Sequence, residues 1–192
     1  MGTFAAVVVG YLLGSALFGV IVPRFAGVDI YSVGSGNPGT ANVARTVGKQ
    51  RALLTVLGDI AKGSLAAAVG LWLGDADTVA YAAGLAAVLG HCFPVWRPLG
   101  GGKGVATAIG VFLVTSPWVG IGSLVLWGTQ LAVTKVASAG SLILAVAWVP
   151  ALAIAGERGW SLVLAAAIAL LVLARHHENI RRLAMGKERR VG

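Results

Sequence analysis

Charged residues are scarce in this sequence, and so is cysteine. Asp, Glu, Lys and Arg together make up 11% of the 192 residues, whereas roughly a quarter of a soluble domain is charged. The single cysteine, Cys92, excludes an internal disulfide framework, and its place in an apolar run indicates a buried structural thiol. With 57% hydrophobic residues and a mean hydropathy of +0.86, the composition excludes an ordinary soluble domain. It predicts a polytopic membrane protein.

Apolar runs of about twenty residues, each long enough to cross a hydrocarbon layer of ~30 Å, recur along the whole chain. They predict an all-α protein with about seven transmembrane helices in one domain, residues 1–192. The predicted spans are 3–22, 52–73, 78–95, 104–115, 118–133, 139–155 and 160–174. The fourth is too short to span straight on its own. The first lacks the basic n-region of a signal peptide, so we interpret it as a retained helix.

Basic side chains outnumber acidic ones, 15 to 7, but they do not form the single soluble basic face that would indicate nucleic-acid binding. They stand near the ends of apolar runs, where a topology signal is expected. One set of alternate loops holds Arg24, Arg45, Lys49, Arg51, Arg97, Lys103, Lys135 and the basic tail. The opposite loops hold only Arg158, beside Asp75, Asp77 and Glu157. This bias predicts that the N-terminus is outside and the C-terminus is cytoplasmic.

Four polar stretches share the predicted cytoplasmic side: GSGNPGTANVART (34–46), GHCFPVWRPLGGGKGVAT (90–107), TKVASAGS (134–141) and RHHENIRRL (175–183). They contribute hydrogen-bond donors, cations and glycine amides, namely Ser35, Asn37, Thr40, Asn42, Arg45, Gly101, Gly102, Lys103, Gly104 and His176. Backbone amides freed by glycine and supported by cations form anion sites. The pattern predicts that phosphate binds on this side.

Each feature also has a purely structural interpretation. The glycine stretches can be tight turns between helices, Lys103 can be a topology charge, and Asp59 with Lys62 is most simply a helical i,i+3 pair. The basic tail, Arg181 to Arg190, is typical of lipid-headgroup contacts. Neither standard nucleotide-binding motif is present. No βαβ unit surrounds the GxGxxG match, and GGGKG lacks the spacing of a phosphate-binding Walker loop. The three histidines are scattered, so no metal or other cofactor is predicted. The convergence of several donor clusters on one side favours a functional site.

Three blocks of this chain resemble the bacterial membrane-bound acyl-phosphate:glycerol-3-phosphate acyltransferases, the PlsY family. They are GSGNPGTANVARTVGK, GHCFPVWRPLGGGKGVAT and HHENIRRLAMGKE, and their order and spacing agree with the family over essentially the whole chain. Pro38 and the order Thr40–Ala41 depart from the family pattern, as do Arg97–Pro98 and Gly100 in the second block.

The resemblance implies transfer of a fatty acyl group from acyl phosphate to sn-glycerol 3-phosphate, giving lysophosphatidic acid and phosphate, at a bacterial plasma membrane. It assigns phosphate binding to Ser35 and Arg45, and catalytic roles to Lys103, Ser141, His176 and Asn179. The expected partners are the two substrates, membrane lipids and an enzyme that produces acyl phosphate, with no nucleic acid.

The proton path remains open at this stage. The His-x4-Asp pair of other glycerolipid acyltransferases is absent, since Trp96 follows His91 at the fifth position and Arg181 and Arg182 follow the two tail histidines. An acyl phosphate is already activated, so positioning and charge neutralisation can supply most of the rate. We expect a phosphate oxygen of the substrate to accept the hydroxyl proton, with His176 as the alternative base. The alternative function is transport of an organic phosphate, which requires polar residues at mid-membrane depth and on both sides.

Overall fold

The computed structural model describes residues 1–74, 76–97 and 99–191; Asp75 and Pro98, which the sequence analysis mentioned, lie outside these ranges. All regular structure in the described residues is helical, which confirms the predicted all-α class. The α-helices, in chain order, are α1 Gly2–Ser15, α2 Phe18–Arg24, α3 Thr40–Thr46, α4 Lys49–Leu73, α5 Asp77–Cys92, α6 Val105–Thr115, α7 Pro117–Thr134, α8 Ala137–Ile154, α9 Gly159–Arg175 and α10 His177–Ala184. A short 3₁₀ turn, Ile30–Ser32, precedes α3.

Each of the seven predicted spans corresponds to a helix or a broken helix, while the number of crossings stays a prediction. Three stretches are long and apolar enough to cross a membrane: Gly2–Arg24, Lys49–Leu73 and Ala137–Ile154. Helices α9 and α10 meet that test only as a pair, bent by 56°. Helix α6 has 11 residues, and this agrees with the expectation that the fourth run is too short to span alone.

Close backbone contacts hold the N-terminal helices together. A Cβ added to Gly10 or Gly14 of α1 would lie 2.4 Å or 2.0 Å from the carbonyl oxygen of Ala83 or Ala87 in α5. Lipid chains are as apolar as leucine, so helices in membranes associate mainly where small residues let backbones approach. The glycines of α1 therefore serve packing.

The C-terminal half packs around aromatic side chains. Phe112 of α6 lies between Tyr81 and Trp148, with an edge-on centroid distance of 5.2 Å to the Trp148 ring. Cys92 is fully buried in the same cluster, as its apolar surroundings in the sequence predicted. This core holds α5, α6, α8 and α9 in fixed relation below the polar loops.

The four polar stretches meet at one end of the helix bundle, as the sequence predicted. The Tyr31 hydroxyl, three residues before the first stretch, donates to the Gly100 carbonyl of the second stretch at 2.8 Å. The Ser138 hydroxyl donates to Glu188 at 3.1 Å, and the Val191 amide donates to the Lys135 carbonyl at 2.7 Å. The C-terminal tail, residues 185–191, is thereby fixed across the same end.

Candidate active site

A polar cavity of about 480 Å³ opens where the four stretches meet. Its walls combine hydroxyl and amide groups with cations and two carboxylates. They include Ser35, Asn37, Arg45, Gly101, Lys103, Arg175, Glu178, Asn179, Arg182, Glu188 and Arg189. Since cations outnumber carboxylates in this wall, an anionic ligand is favoured.

The first donor loop, residues 34–46, a name that here includes the short helix α3, is held in shape by the side chain of Asn42. Its Oδ1 accepts a hydrogen bond from the Ser35 amide at 2.9 Å, and its Nδ2 donates to the Val33 carbonyl at 3.1 Å. Gly34 has a φ of +61°, and a Cβ there would lie 2.3 Å from Asn42 Oδ1. Asn42 is buried, so it supports the loop, while Ser35 is exposed at its edge.

The glycine loop, residues 100–104, is clamped from two sides. The Arg175 guanidinium donates to the carbonyls of Gly101 and Gly102, at 3.1 Å each. On the other side the Gly102 amide donates to the His91 carbonyl at 3.0 Å. A Cβ on Gly102 would lie 2.2 Å from His91 Nε2. Only a residue without a side chain fits between these two groups and the cavity.

Lys103 projects from this loop into a chain of polar contacts. Its ammonium donates to Asn179 Oδ1, and Asn179 Nδ2 donates to Glu188 Oε1 at 2.6 Å. Arg182 then donates to the other oxygen of Glu188 at 2.8 Å. Burial lowers the pKa of Lys103 to about 8, although the Glu188 carboxylate opposes that shift. Lys103 is therefore a charged donor at neutral pH, but one that titrates within the range of an activity assay.

His176 lies at the bend between α9 and α10, where it is buried. Its Nδ1 is 2.7 Å from the Val172 carbonyl, which can only accept, so the ring proton sits on Nδ1 and Nε2 is left as an acceptor. Burial, helped by the nearby charge of Lys103, lowers the pKa of His176 to about 4. The imidazole is thus neutral at physiological pH.

A second, mainly apolar cavity of about 440 Å³ adjoins the polar one between α4, α6, α7 and α8. Leu53, Leu57, Ile109 and Leu124 line its apolar part. The two cavities share the side chains of Ser35, Asn37, Arg45, Lys103, Asn179, Glu188 and Arg189. A ligand with a charged head and a long apolar chain fits this paired arrangement.

Ser141 lies in the wall of the apolar cavity and is already engaged. Its hydroxyl donates to the Ala137 carbonyl at 3.0 Å and accepts from the Trp127 indole at 3.3 Å. Thr40, Asn42, Gly104 and His176 line the same cavity.

Nearly the whole chain is similar to known acyltransferases. A family model described as glycerol-3-phosphate acyltransferase matches residues 4–186. This chain belongs to the glycerol-3-phosphate acyltransferase family. The protein of that name from Anaeromyxobacter sp. (strain Fw109-5) is 42% identical over 96% of this chain and 94% of its own. The one from Geobacter sulfurreducens is 45% identical over 95% and 94%.

Solved structures agree with this membership. A crystal structure of PlsY, an integral membrane glycerol 3-phosphate acyltransferase, in its glycerol 3-phosphate form has a TM-score of 0.93. It is 38% identical to this chain, covering 100% of it and 96% of that chain. The lysophosphatidic acid form has a TM-score of 0.91 at 37% identity, with the same coverage. The predicted family, the acyltransferase activity and the membrane location are therefore confirmed.

In this glycerol-3-phosphate acyltransferase, nearly all the residues predicted for the site meet around the two cavities. Gly102 instead lies on the buried side of the glycine loop, against His91. The chemical roles of all these residues remain predictions. Sequence reasoning missed Glu188 and Arg175, because the tail was interpreted as lipid contacts and Arg175 as a topology charge. Glu188 ends the third family block, which was the one signal that it belongs to the site.

Proposed function

We propose that this acyltransferase moves a fatty acyl group from acyl phosphate to the 1-hydroxyl of sn-glycerol 3-phosphate. The products are 1-acyl-glycerol 3-phosphate and inorganic phosphate, as in the first acylation of phospholipid synthesis. The observation that supports this proposal is the shared wall between a cationic cavity and an apolar one. Glycerol 3-phosphate is wholly polar, whereas acyl phosphate has a charged head on a long chain, so one substrate matches the polar cavity and the other matches both.

Five shared residues, Ser35, Asn37, Arg45, Lys103 and Asn179, would contact the phosphate groups where the two substrates meet. The hydroxyl oxygen attacks the acyl carbonyl carbon, a new C–O ester bond forms, and the bond from that carbon to the phosphate oxygen breaks. The leaving phosphate takes both bonding electrons and, in the substrate-assisted route, receives the hydroxyl proton. The Lys103 ammonium stabilises the negative charge that develops during these steps.

His176 orients a substrate through its free Nε2. Asn179 is held by Glu188 and in turn fixes the position of the Lys103 ammonium. Asn42 and Ser141 hold the loop and the cavity wall. No protein base is required, because an acyl phosphate carries a good leaving group and a phosphate oxygen that can accept a proton. This assignment keeps the predicted residues in the site but gives Asn42 and Ser141 supporting roles in place of the predicted phosphate-binding and catalytic ones. It adds Glu188 and Arg175 as further supports.

We further propose that the chain works as one catalytic domain in the bacterial plasma membrane, with the site facing the cytoplasm. The asymmetry of Arg and Lys between alternate loops supports that orientation. Acyl phosphate is apolar along most of its length, so an enzyme that produces it near the membrane is the expected supplier.

Acyl transfer is tested with purified protein in detergent, radiolabelled glycerol 3-phosphate and acyl phosphate. Labelled lysophosphatidic acid formed without a sealed vesicle supports the enzyme. Uptake into proteoliposomes with no product would instead indicate a transporter of organic phosphate. The donor groups gather at one end of the bundle, which favours the enzyme.

We expect Arg45→Ala to raise the KM for glycerol 3-phosphate more than the KM for acyl phosphate. Arginine grips phosphate with two parallel N–H donors that lysine cannot reproduce, so Arg45→Lys should restore binding only in part. The measurement is initial rate against each substrate in turn. Arg51→Ala, which removes an exposed arginine of α4, is the matched control. Equal changes in both KM values would mean that Arg45 serves the donor or the fold.

We expect His176→Gln to retain kcat within about tenfold and His176→Ala to lose more, because only glutamine keeps a hydrogen-bonding group. A general base would behave differently, with a loss of at least ~100-fold for both variants. Because the pKa of His176 is lowered to about 4, its neutral form is present at all pH values above that. Rates measured from pH 5.5 upward should show no loss due to its protonation. Equal collapse of both variants would make His176 the base.

A further inference from the structure

A buried ion network lies under the active-site loops and is not used by the proposed chemistry. The Lys62 ammonium on α4 is 2.9 Å from Asp59 Oδ1, an ion pair by distance, and 2.8 Å from His91 Nδ1. It also donates to the carbonyls of Gly14 at 2.9 Å and Ala16 at 2.8 Å. Asp59, Lys62 and His91 are each no more than 4% exposed. The sequence predicted the helical Asp59–Lys62 pair, and the structure extends it to α1 and α5.

His91 joins the network to the glycine loop. Its Nδ1 faces both the Lys62 ammonium at 2.8 Å and Asp59 Oδ1 at 3.5 Å. Nε2, on the other edge of the ring, lies against Gly102. One edge of the imidazole thus contacts the ion pair, and the other edge supports the glycine loop.

The Lys62 ammonium is also connected to the first donor loop, through the break between α1 and α2. The last carbonyls of a helix have no partner inside it, and Lys62 binds two of them where α1 breaks before α2. Helix α2 packs against the first donor loop so closely that a Cβ on Gly19 would lie 1.6 Å from the Pro38 carbonyl oxygen. Lys62 therefore contacts the supports of both loops that face the polar cavity.

Burying a lysine and an aspartate among apolar helices costs several kcal/mol unless they are paired. An apolar core of the same volume would often hold the helices as well or better. Stabilisation of the fold alone therefore does not explain why these buried charges are present. The partners of Lys62 outside α4 lie on two routes: Gly14 and Ala16 lead toward Pro38, and His91 leads toward Lys103.

We propose that Lys62, with Asp59 and His91, is a positioning residue that sets the location of the glycine loop relative to the first donor loop. This inference rests on the proposed function, because the groups positioned are Lys103 on one loop and Ser35 with Arg45 on the other. Asp59 and His91 reach the wall of the apolar cavity, but the network carries none of the proposed chemical steps. It acts by holding the two sides of the phosphate site at the separation that the reaction needs.

The test is the double substitution Asp59→Asn/Lys62→Met, which removes both buried charges and so leaves no unpaired ion. Misplacement of a catalytic group by about 1 Å can reduce the rate about 100-fold, so we expect kcat to fall by about 10- to 100-fold. Ser64→Ala is the control, since it removes a hydrogen bond from α4 to the Gly110 carbonyl near Lys62. It should keep wild-type kcat, and the thermal unfolding of both variants in detergent should match.

The decisive arm repeats the double substitution in a Lys103→Ala background. If the network acts through Lys103, the double substitution should change the residual kcat there by less than about twofold, because coupled residues are not additive. The same fold loss in both backgrounds would mean a general structural defect and would overturn the proposal, as would unchanged kcat in the wild-type background. If Asp59→Asn/Lys62→Met does not fold, His91→Gln takes its place in the same cycle, with the same expected and overturning results. Wild-type turnover in the same assay tests the proposed function separately.

Discussion

Lys103→Ala is expected to remove nearly all turnover while leaving the protein folded and inserted in the membrane. Lys103 is the cation of the glycine loop and lies in the wall of both cavities. Losing one such donor at developing negative charge typically costs about 3 kcal/mol or more, a loss on the order of 100-fold in kcat. The sequence offered no structural partner for this lysine, whereas the structure shows that it donates to Asn179. That contact orients the ammonium and is not needed to hold the helices.

The measurement is kcat for wild type, Lys103→Ala and Lys49→Ala, with thermal unfolding in detergent as a check on the fold. Lys49 is an exposed lysine at the start of α4 and serves as the matched loss of one cation. Wild-type activity in Lys103→Ala would contradict the catalytic role assigned to Lys103. Loss of activity in both variants would indicate instead that turnover depends on the total positive charge at this end of the helix bundle.

A pH profile tests the same residue without substitution. Burial is the largest cause that lowers the pKa of Lys103 to about 8, with Arg182 and Arg45 acting in the same direction and Glu188 and Glu178 opposing. Because the folded pKa is depressed, the ammonium is present below about pH 8 and is lost as the pH rises through that value. We expect kcat/KM to decline above about pH 8. A profile that stays level well above this pH would contradict a charged role for Lys103.

Gly102→Ala is the second substitution expected to have a large effect. Its Cβ would lie 2.2 Å from Nε2 of the buried His91 ring, which has no space to withdraw because Lys62 is on its other edge. The loop must therefore shift and carry Lys103 with it. A displacement near 1 Å predicts a loss of about 100-fold in kcat/KM.

Gly100→Ala gives the matched comparison two residues away. A Cβ there would meet the side chain of Arg97 at 2.4 Å, but Arg97 is exposed and can swing aside. The Arg97 guanidinium lies over the Tyr31 ring, 4.3 Å from its centroid. The cost should be limited to the loss of this cation–π contact, worth about 0.5–1 kcal/mol at an exposed site. Comparable losses in the two variants would show that the loop tolerates no substitution anywhere, and that His91 has no special part.

The sequence alone was sufficient to predict the helices and the gathering of the polar groups at one end of the bundle. Apolar runs of membrane length admit only a regular hydrogen-bonded backbone, so the positions of α4, α8 and the first span followed from composition, whereas the break between α1 and α2 did not. The buried thiol of Cys92 followed in the same way. The anion-binding stretches were predicted from local chemistry, since glycine amides and cations in one loop already indicate an anion. The roles of Ser141, His176 and Asn179 came from the family resemblance.

Tertiary structure decided which of those groups touch each other. Glu188 and Arg175 stand in basic stretches, and sequence spacing cannot reveal that one orients Asn179 while the other grips two carbonyls of the glycine loop. Likewise Asp59 and Lys62 are neighbours on one helix by periodicity, but their contact with His91 and with the break after α1 depends on how three helices pack. Contacts between distant segments arise only when the chain buries its apolar faces, so their partners are set by packing and not by any local pattern.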